Sequence, residues 1–343
     1  MAQYPNNQDA GGIWKLKDIW VAIGGENWVK DLSGDRGLFG GGYASPANTN
    51  VIDFISIAAA GNATDFGDLI TSVYGNNNGA VGSTTRGLFA GGGDGTGDGT
   101  NEISFVTIAS AGNATDFGDL TQAGRAFGAG ISSSTRGIFG PRRHTPSPTP
   151  HNDNTFDFVT IASAGNATDF GDATINAANN AGACSSTRGL RAGGNQNTSP
   201  GGESTNVIDF ITIASAGNAS DFGDLSAIKH DLGGLSSATR ALFAGGTSNP
   251  GSSPYGSATN SIDSVTIEST GNASDFGDLS TNTATRGVSN TIRGVFSEST
   301  GSPNNGNTTF VTIASAGNVS SFGDLSVARS VVGTGSNVHG GLQ

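Results

Sequence analysis

The chain has 343 residues, of which only 13% are charged, and a formal net charge of −12. That acidity argues against nucleic acid and anionic membranes as partners, since both select basic surfaces. With 56 glycines, 34% hydrophobic residues and regularly spaced Phe, Ile and Val, it reads as an all-β chain of short strands and glycine-rich turns rather than a disordered one. Cys184 stands alone, which excludes a disulfide framework and a cysteine metal cluster. No apolar run reaches the length of a membrane span, and the opening "MAQYPNNQDAGG" lacks the regions of a signal peptide.

Residues 1–32 stand apart from the rest and hold all three tryptophans, Trp14, Trp20 and Trp28. Ile13, Leu16 and Trp20 fall at i, i+3 and i+7, a helical stripe that Gly24-Gly25 would end. Such an aromatic load suits attachment to another subunit, with a cap over the following domain as the equal alternative.

From residue 33 to 343 the chain repeats itself. "GNATDFGDL" and close variants place Phe66, Phe117, Phe170, Phe222, Phe276 and Phe322 at intervals of 46 to 54 residues. In step with it runs "RGLFGGG" and its variants, beginning at Arg36, Arg86, Arg136, Arg188, Arg240 and Arg293. Between them lies an alternating phrase such as "VIDFISIA" (Val51 to Ala58), a strand signal with apolar groups on both faces. Each unit thus holds an alternating strand, a Gly-terminated strand, a "TDFGDL" turn with an edge strand, and room for one more. Four strands per unit and a period near fifty describe the blades of a propeller.

The first unit enters at Arg36 without an inner strand, while "SVARSVVGTGS" after Leu325 matches "SAIKHDLGGLS" after Leu225. The C-terminal strand is therefore expected to close the ring by completing the first blade, which removes exposed sheet edges. No slot is evident for the tail "SNVHGGLQ". Three units depart from the pattern: Arg191 replaces the strand Phe, Gly140-Pro141 replaces Gly-Gly, and "SES" follows Phe296.

These Gly-Gly and aromatic-x-x-Leu strands, six times in register, resemble kelch-type repeats. The wording "TRGLFAGG … IDFVTIASAGNATDFGDL" also resembles repeats in structural proteins of tailed bacteriophages from aquatic sources, and the N-terminal "GIWKLKD" resembles the segment that precedes them. The resemblance implies a six-bladed kelch-like β-propeller. It further implies a non-enzymatic virion protein, a tail-fibre or receptor-binding component of an oligomeric assembly, joined to other virion proteins through Trp14, Trp20 and Trp28. The alternatives are a capsid-surface decoration or connector protein and, less favoured, a carbohydrate-active enzyme.

Two residue types recur with the repeat. Asp68, Asp119, Asp172, Asp224, Asp278 and Asp324 read as turn residues whose carboxylates accept backbone N–H bonds. A ring of Ca²⁺ ligands is the less favoured reading, because one site does not need six copies. The six Arg residues are expected to pair with these Asp and lock blade to blade. The "NAT" and "NAS" sequons read as turn sequences rather than glycosylation sites.

The loops after "RGLF" differ in every unit and are where binding is expected. Their Asn, Ser, Thr, Gly and Tyr suit a neutral polar ligand such as a host surface glycan. The loop "PRRHTPSPTPHNDNT" concentrates positive charge in Arg142, Arg143, His144 and His151, and Asn195 and Tyr255 are further candidate contacts. Asp94 and Asp98 resemble a Ca²⁺ loop in composition without its spacing. No nucleophile elbow, zincin helix or phosphate-binding loop is present. No cofactor or metal is expected, and none of the phrases calls for membrane insertion.

Overall fold

A computed structural model describes residues 35–73, 79–93, 99–124, 126–144, 151–196, 202–249, 256–298 and 306–342. Trp14, Trp20, Trp28, Asp94, Asp98 and Tyr255 lie outside them.

The repeats fold as six antiparallel blades of a β-propeller with four principal strands each, blades 1 and 3 gaining a fifth in Tyr43–Ala44 and His151–Asn152. In blade 2, Gly79–Gly82 is innermost, followed outward by Arg86–Ala90, Thr100–Thr107 and Thr115–Gly124. Blades 3 to 6 repeat this order, their inner strands being Ala126–Ser132, Ala181–Cys184, Gly233–Ser236 and Thr285–Ser289. Blade 1 takes its inner strand, Gly333–Ser336, from the far end of the chain, and Leu38 opposes Gly335 in the shared ladder. The ring closure expected from the match between the segments after Leu225 and Leu325 is therefore present.

The apolar residues of the repeat form six buried clusters, each shared by two neighbouring blades. Between blades 1 and 2, Leu38, Ile52, Phe66 and Leu69 meet Phe89, Val106 and Ile108. Alternation explains the arrangement. Ile55 and Ile57 are buried, Ser56 is exposed, and Phe54 is half-buried beneath Arg36. Each sheet uses both faces because each has a neighbour on both sides.

Inner strands come together backbone to backbone around the axis. A Cβ on Gly130 would lie 2.0 Å from the Ala80 carbonyl oxygen, and one on Gly234 would lie 2.2 Å from that of Gly182. Glycine there is a packing requirement, and it accounts for part of the unusual composition.

The "TDFGDL" phrase departs from expectation. It is not a turn: Thr64–Val73 is one strand, and the chain reverses earlier, at residues 57–59. The preceding Gly-Asn-Ala instead lies along the outer strand of the previous blade. Gly112 N–H donates to the Phe66 carbonyl at 2.7 Å and Ala114 N–H to that of Asp68 at 2.7 Å. The same pair of bonds recurs at every seam, ending with Gly61 and Ala63 on Phe322 and Asp324. An otherwise bare outer edge thus receives a partner.

Candidate functional site

The repeat-phased Asp and Arg are seam residues, though not in the roles the sequence suggests. At Asp68 the main-chain N–H donates to Asn113 Oδ1 of the next blade at 3.1 Å. Asp119, Asp172, Asp224, Asp278 and Asp324 do the same toward Asn166, Asn218, Asn272, Asn318 and Asn62. The expected carboxylate acceptance in a turn is corrected: the residue sits in a strand, and the Asn of the sequon supplies the acceptor.

The Arg–Asp pairing is corrected as well. Arg36 Nη1 donates to the Ile108 carbonyl oxygen at 2.8 Å. Arg86, Arg136, Arg188, Arg240 and Arg293 reach Ile161, Ile213, Ile267, Ile313 and Ile57 in the same way. In five of the six the guanidinium also covers a Phe of its own blade, 4.8 Å from the ring centre for Arg36 on Phe54; blade 5 has Ser264 there. A planar cation between an aromatic face and a strand-end carbonyl satisfies both. Blade-to-blade locking stands; its partner is main chain.

Sequence reasoning missed a second seam device inside the alternating phrase. Asp53, Asp157, Asp209 and Asp263 are buried at its centre. Each accepts bonds from the hydroxyl residue that follows the previous blade's "FGDL" or "FGDA": Ser326, Thr121, Thr174 and Ser226. Each also has a buried cation: Arg329 at 2.9 Å, Arg142 at 2.6 Å, Arg191 at 3.1 Å and Lys229 at 3.0 Å.

Lys229 and Arg329 occupy the same place, four residues after Leu225 and Leu325. For blades 3 and 4 that place, one blade earlier, holds Gly124 and Ala177, and the cation comes instead from the blade's own second strand. A Cβ on Gly124 would lie 3.0 Å from Arg142 Cδ, so Arg142 fills the space left free. Blades 2 and 6 have Ser104 and Thr309 in place of the Asp. Their hydroxyls donate to Glu102 and Glu298, and neither acid has a cation in an ion pair among the described residues. This explains Arg191, whose place in the strand is otherwise held by Phe. The signal was available in the sequence: the cation is present in the four units with the Asp and absent from the two without it.

The strand ends that flank the variable loops share one face, because the second strands end where the inner strands begin; Ala90, for example, opposes Gly79. The charged loop of blade 3 does not present its charges outward as a set. Arg142 is fully buried between Asp157 and Asp153. Burial opposes its charge, yet the hydrogen bond and field of Asp157, with Asp153 behind it, hold its pKa above the usual Arg value. His144 is also buried, with Nδ1 2.8 Å from the Ala123 carbonyl and Nε2 2.7 Å from Asp153. Burial raises the Asp153 pKa, but the His144 bond and the Arg142 charge outweigh it and hold the carboxyl below its ordinary value.

Arg143 is half-buried, and His151 is exposed with its ring 5.2 Å from that of His144. Asn195 joins the frame through its carbonyl, which accepts Asn152 Nδ2 at 2.7 Å. The frame continues into blade 5, where Asn249 Nδ2 donates to the Gly202 carbonyl at 3.1 Å. Arg142, His144 and Asn195 thus belong to the loops' internal support, leaving His151 as the exposed member of the described candidates.

On the axis lies a cavity of about 80 Å³ lined by the inner strands. At the end away from the variable loops it is ringed by Ser132, Cys184, Ser236, Ser289 and Ser336. Ser236 Oγ donates to the Cys184 carbonyl and Ser289 Oγ to that of Ser236, both at 2.7 Å. Ser132 and Ser336 repeat the bond on Gly82 and Ser289. The sixth place is Gly82, whose carbonyl also accepts His339 Nε2 at 2.9 Å.

The tail that had no evident slot therefore stoppers the axis, with Gly341 N–H donating to His339 Nδ1 at 3.1 Å. Burial lowers the His339 pKa, against the raising effect of the Gly82 carbonyl. Burial likewise pushes the Cys184 thiol up to about 11, which removes its nucleophilicity near neutral pH.

At the cavity's other end stands Arg286, opposite Ser297 in the blade 6 ladder. Burial lowers its pKa, against the opposing charge of Asp231, to about 10, so it remains a cation at neutral pH. Among the described residues no cluster of three or more His, Cys, Asp or Glu is placed to hold a metal ion. No protein-family model matches the chain, and a search of curated proteins finds no match.

Proposed function

We propose that the chain is a non-enzymatic recognition scaffold of a phage particle, a tail-fibre or receptor-binding component whose variable face meets host surface glycans. The supporting observation is the division of labour between residues. The repeated Arg, Asn, Asp and Gly all serve the seams, while the segments that differ between units are carried by strand ends on one face. The kelch-like and phage-like wording supplies the biological setting.

The test is binding of the purified protein to a glycan array and to host cells, with two loop segments replaced by Gly-Ser. Residues 197–201 and 250–255 are suitable, because Asn195 and Asn249 of the hydrogen-bonded frame stay intact. Binding by the parent and its loss in the replaced protein is the expected result; absence of binding by the parent overturns the reading. A capsid decoration or connector role is the second reading. It is favoured by the burial of Arg142 and His144, which withdraws charge from the most distinctive loop.

A further inference from the structure

We propose that the axial cavity binds a small oxyanion, a carboxylate or phosphate group, through Arg286. The first observation is a break in the repeat. At this point of the inner strand the other blades carry Gly79, Ala129, Ala181, Gly233 and Gly333, as their ladders align. Arg286 alone brings a long cation into a ring otherwise built of small residues.

The second observation is an unmet hydrogen-bonding demand. The Arg286 side chain keeps 9% of its surface exposed and lines the cavity. Nη1 donates to the carbonyls of Asp231 and Thr285. Nε and Nη2 have no hydrogen-bond partner, and neither does Asp231 Oδ1. Nη2 and Asp231 Oδ1 are 3.7 Å apart, close enough for an ionic contact and too far for a hydrogen bond.

Other buried cations in this fold are met differently. Arg142, Arg191, Lys229 and Arg329 each hold a carboxylate at 2.6 to 3.1 Å. Two adjacent guanidinium N–H groups, both buried and without a partner, make the fork that carboxylates and phosphates engage once the side chain turns them toward the cavity. The cavity limits what can enter. At about 80 Å³, against the roughly 10–15 Å³ that one water needs on the same measure, it has room for an anionic head group. Its Arg286 end is the end of the variable loops, so the remainder of a larger ligand would lie on that face.

The inference needs no phage setting and survives if no glycan is bound. Titration of the full chain by calorimetry and thermal shift, with inorganic phosphate in one arm and glucuronate in the other, tests it and separates the two sources. Saturable binding of at least one is expected, weakened at least tenfold in Arg286→Ala. Ala181 shows that the repeat accepts the small residue. Asp231→Asn provides a second reading: removing the nearby negative charge should tighten anion binding. The proposal is overturned if neither anion binds, as when the free N–H groups hold only water. It is equally overturned if Arg286→Ala binds as the parent does, or if Asp231→Asn leaves affinity unchanged.

Discussion

Arg329 Nη1 lies 2.9 Å from Asp53 Oδ2, with both side chains fully buried. The pair joins the segment after the sixth blade to the third strand of the first, 276 residues away in sequence. An uncompensated buried charge is far more damaging than the loss of a surface pair.

Arg329→Ala should therefore destabilise the propeller by about 3–5 kcal/mol, read as a shift in the urea midpoint. Arg329→Lys should retain most of the stability, because Lys229 serves Asp263 in the same place. Adding Asp53→Ser to Arg329→Ala should recover much of the loss, since Ser104 fills that position in blade 2 without a cation. A double variant no better than Arg329→Ala would show that the charge pairing is not the cause.

Blade 4 offers a relocation experiment. Arg191→Phe restores the residue seen in the other units but leaves Asp209 buried without its cation, and should lower the melting temperature. Ala177→Lys, introduced with it, supplies the cation from the place Lys229 occupies one blade later. Partial recovery in the pair, beyond the sum of the single effects, is the expected outcome of the thermal melts.

At the seam between blades 2 and 3, Gly118 has φ +144°, and a Cβ there would lie 2.5 Å from the Gly165 carbonyl carbon and oxygen. Gly118→Ala should cost about 1–3 kcal/mol in backbone strain and lift the Gly165–Ala167 segment off the outer strand. Hydrogen exchange should report faster exchange at the Gly165 and Ala167 amides, with the equivalent amides at the blade 5–6 seam unchanged.

His339 makes stability depend on pH. Its folded pKa lies below the ordinary 6.5, so the folded protein takes up the proton less readily than the unfolded chain. The contribution is complete above pH 6.5 and is lost as pH falls from there toward the lower folded value. A proton on Nδ1 would face the Gly341 N–H that now donates to it. Melting temperatures measured downward from pH 7.5 should fall more for the parent than for His339→Gln, and equal slopes would remove His339 as the cause.

The fold was legible because its evidence is periodic. Alternation in "VIDFISIA", the doublet after "RGLF" and the match of "SVARSVVGTGS" to "SAIKHDLGGLS" fix strand order and closure without reference to distance. Contacts across the seams were less legible. Arg36 meets a main-chain carbonyl, and every residue has one of those, so no partner letter in the sequence betrays the bond. The Asp of "FGD" was misread for the same reason: its main chain engages Asn113. Arg142 looked like a loop charge because Asp157, which draws it inward, lies fifteen residues on, and the emptied place at Gly124 is seen only in the fold.

The two sources of cation also determine which blades are modular. Asp157 and Asp209 receive Arg142 and Arg191 from their own blades, so blades 3 and 4 carry this buried neutralisation with them. Asp263 relies on Lys229 from the blade before, and Asp53 on Arg329 from the end of the chain. A gene rearrangement that removed blade 3 would leave every remaining pair whole, whereas removal of blade 4 would take Lys229 from Asp263 and loss of the C-terminal segment would take Arg329 from Asp53. Shrinkage of this ring is thus easier at blade 3 than at blade 4, while its closing blade is bound to the chain end that completes it.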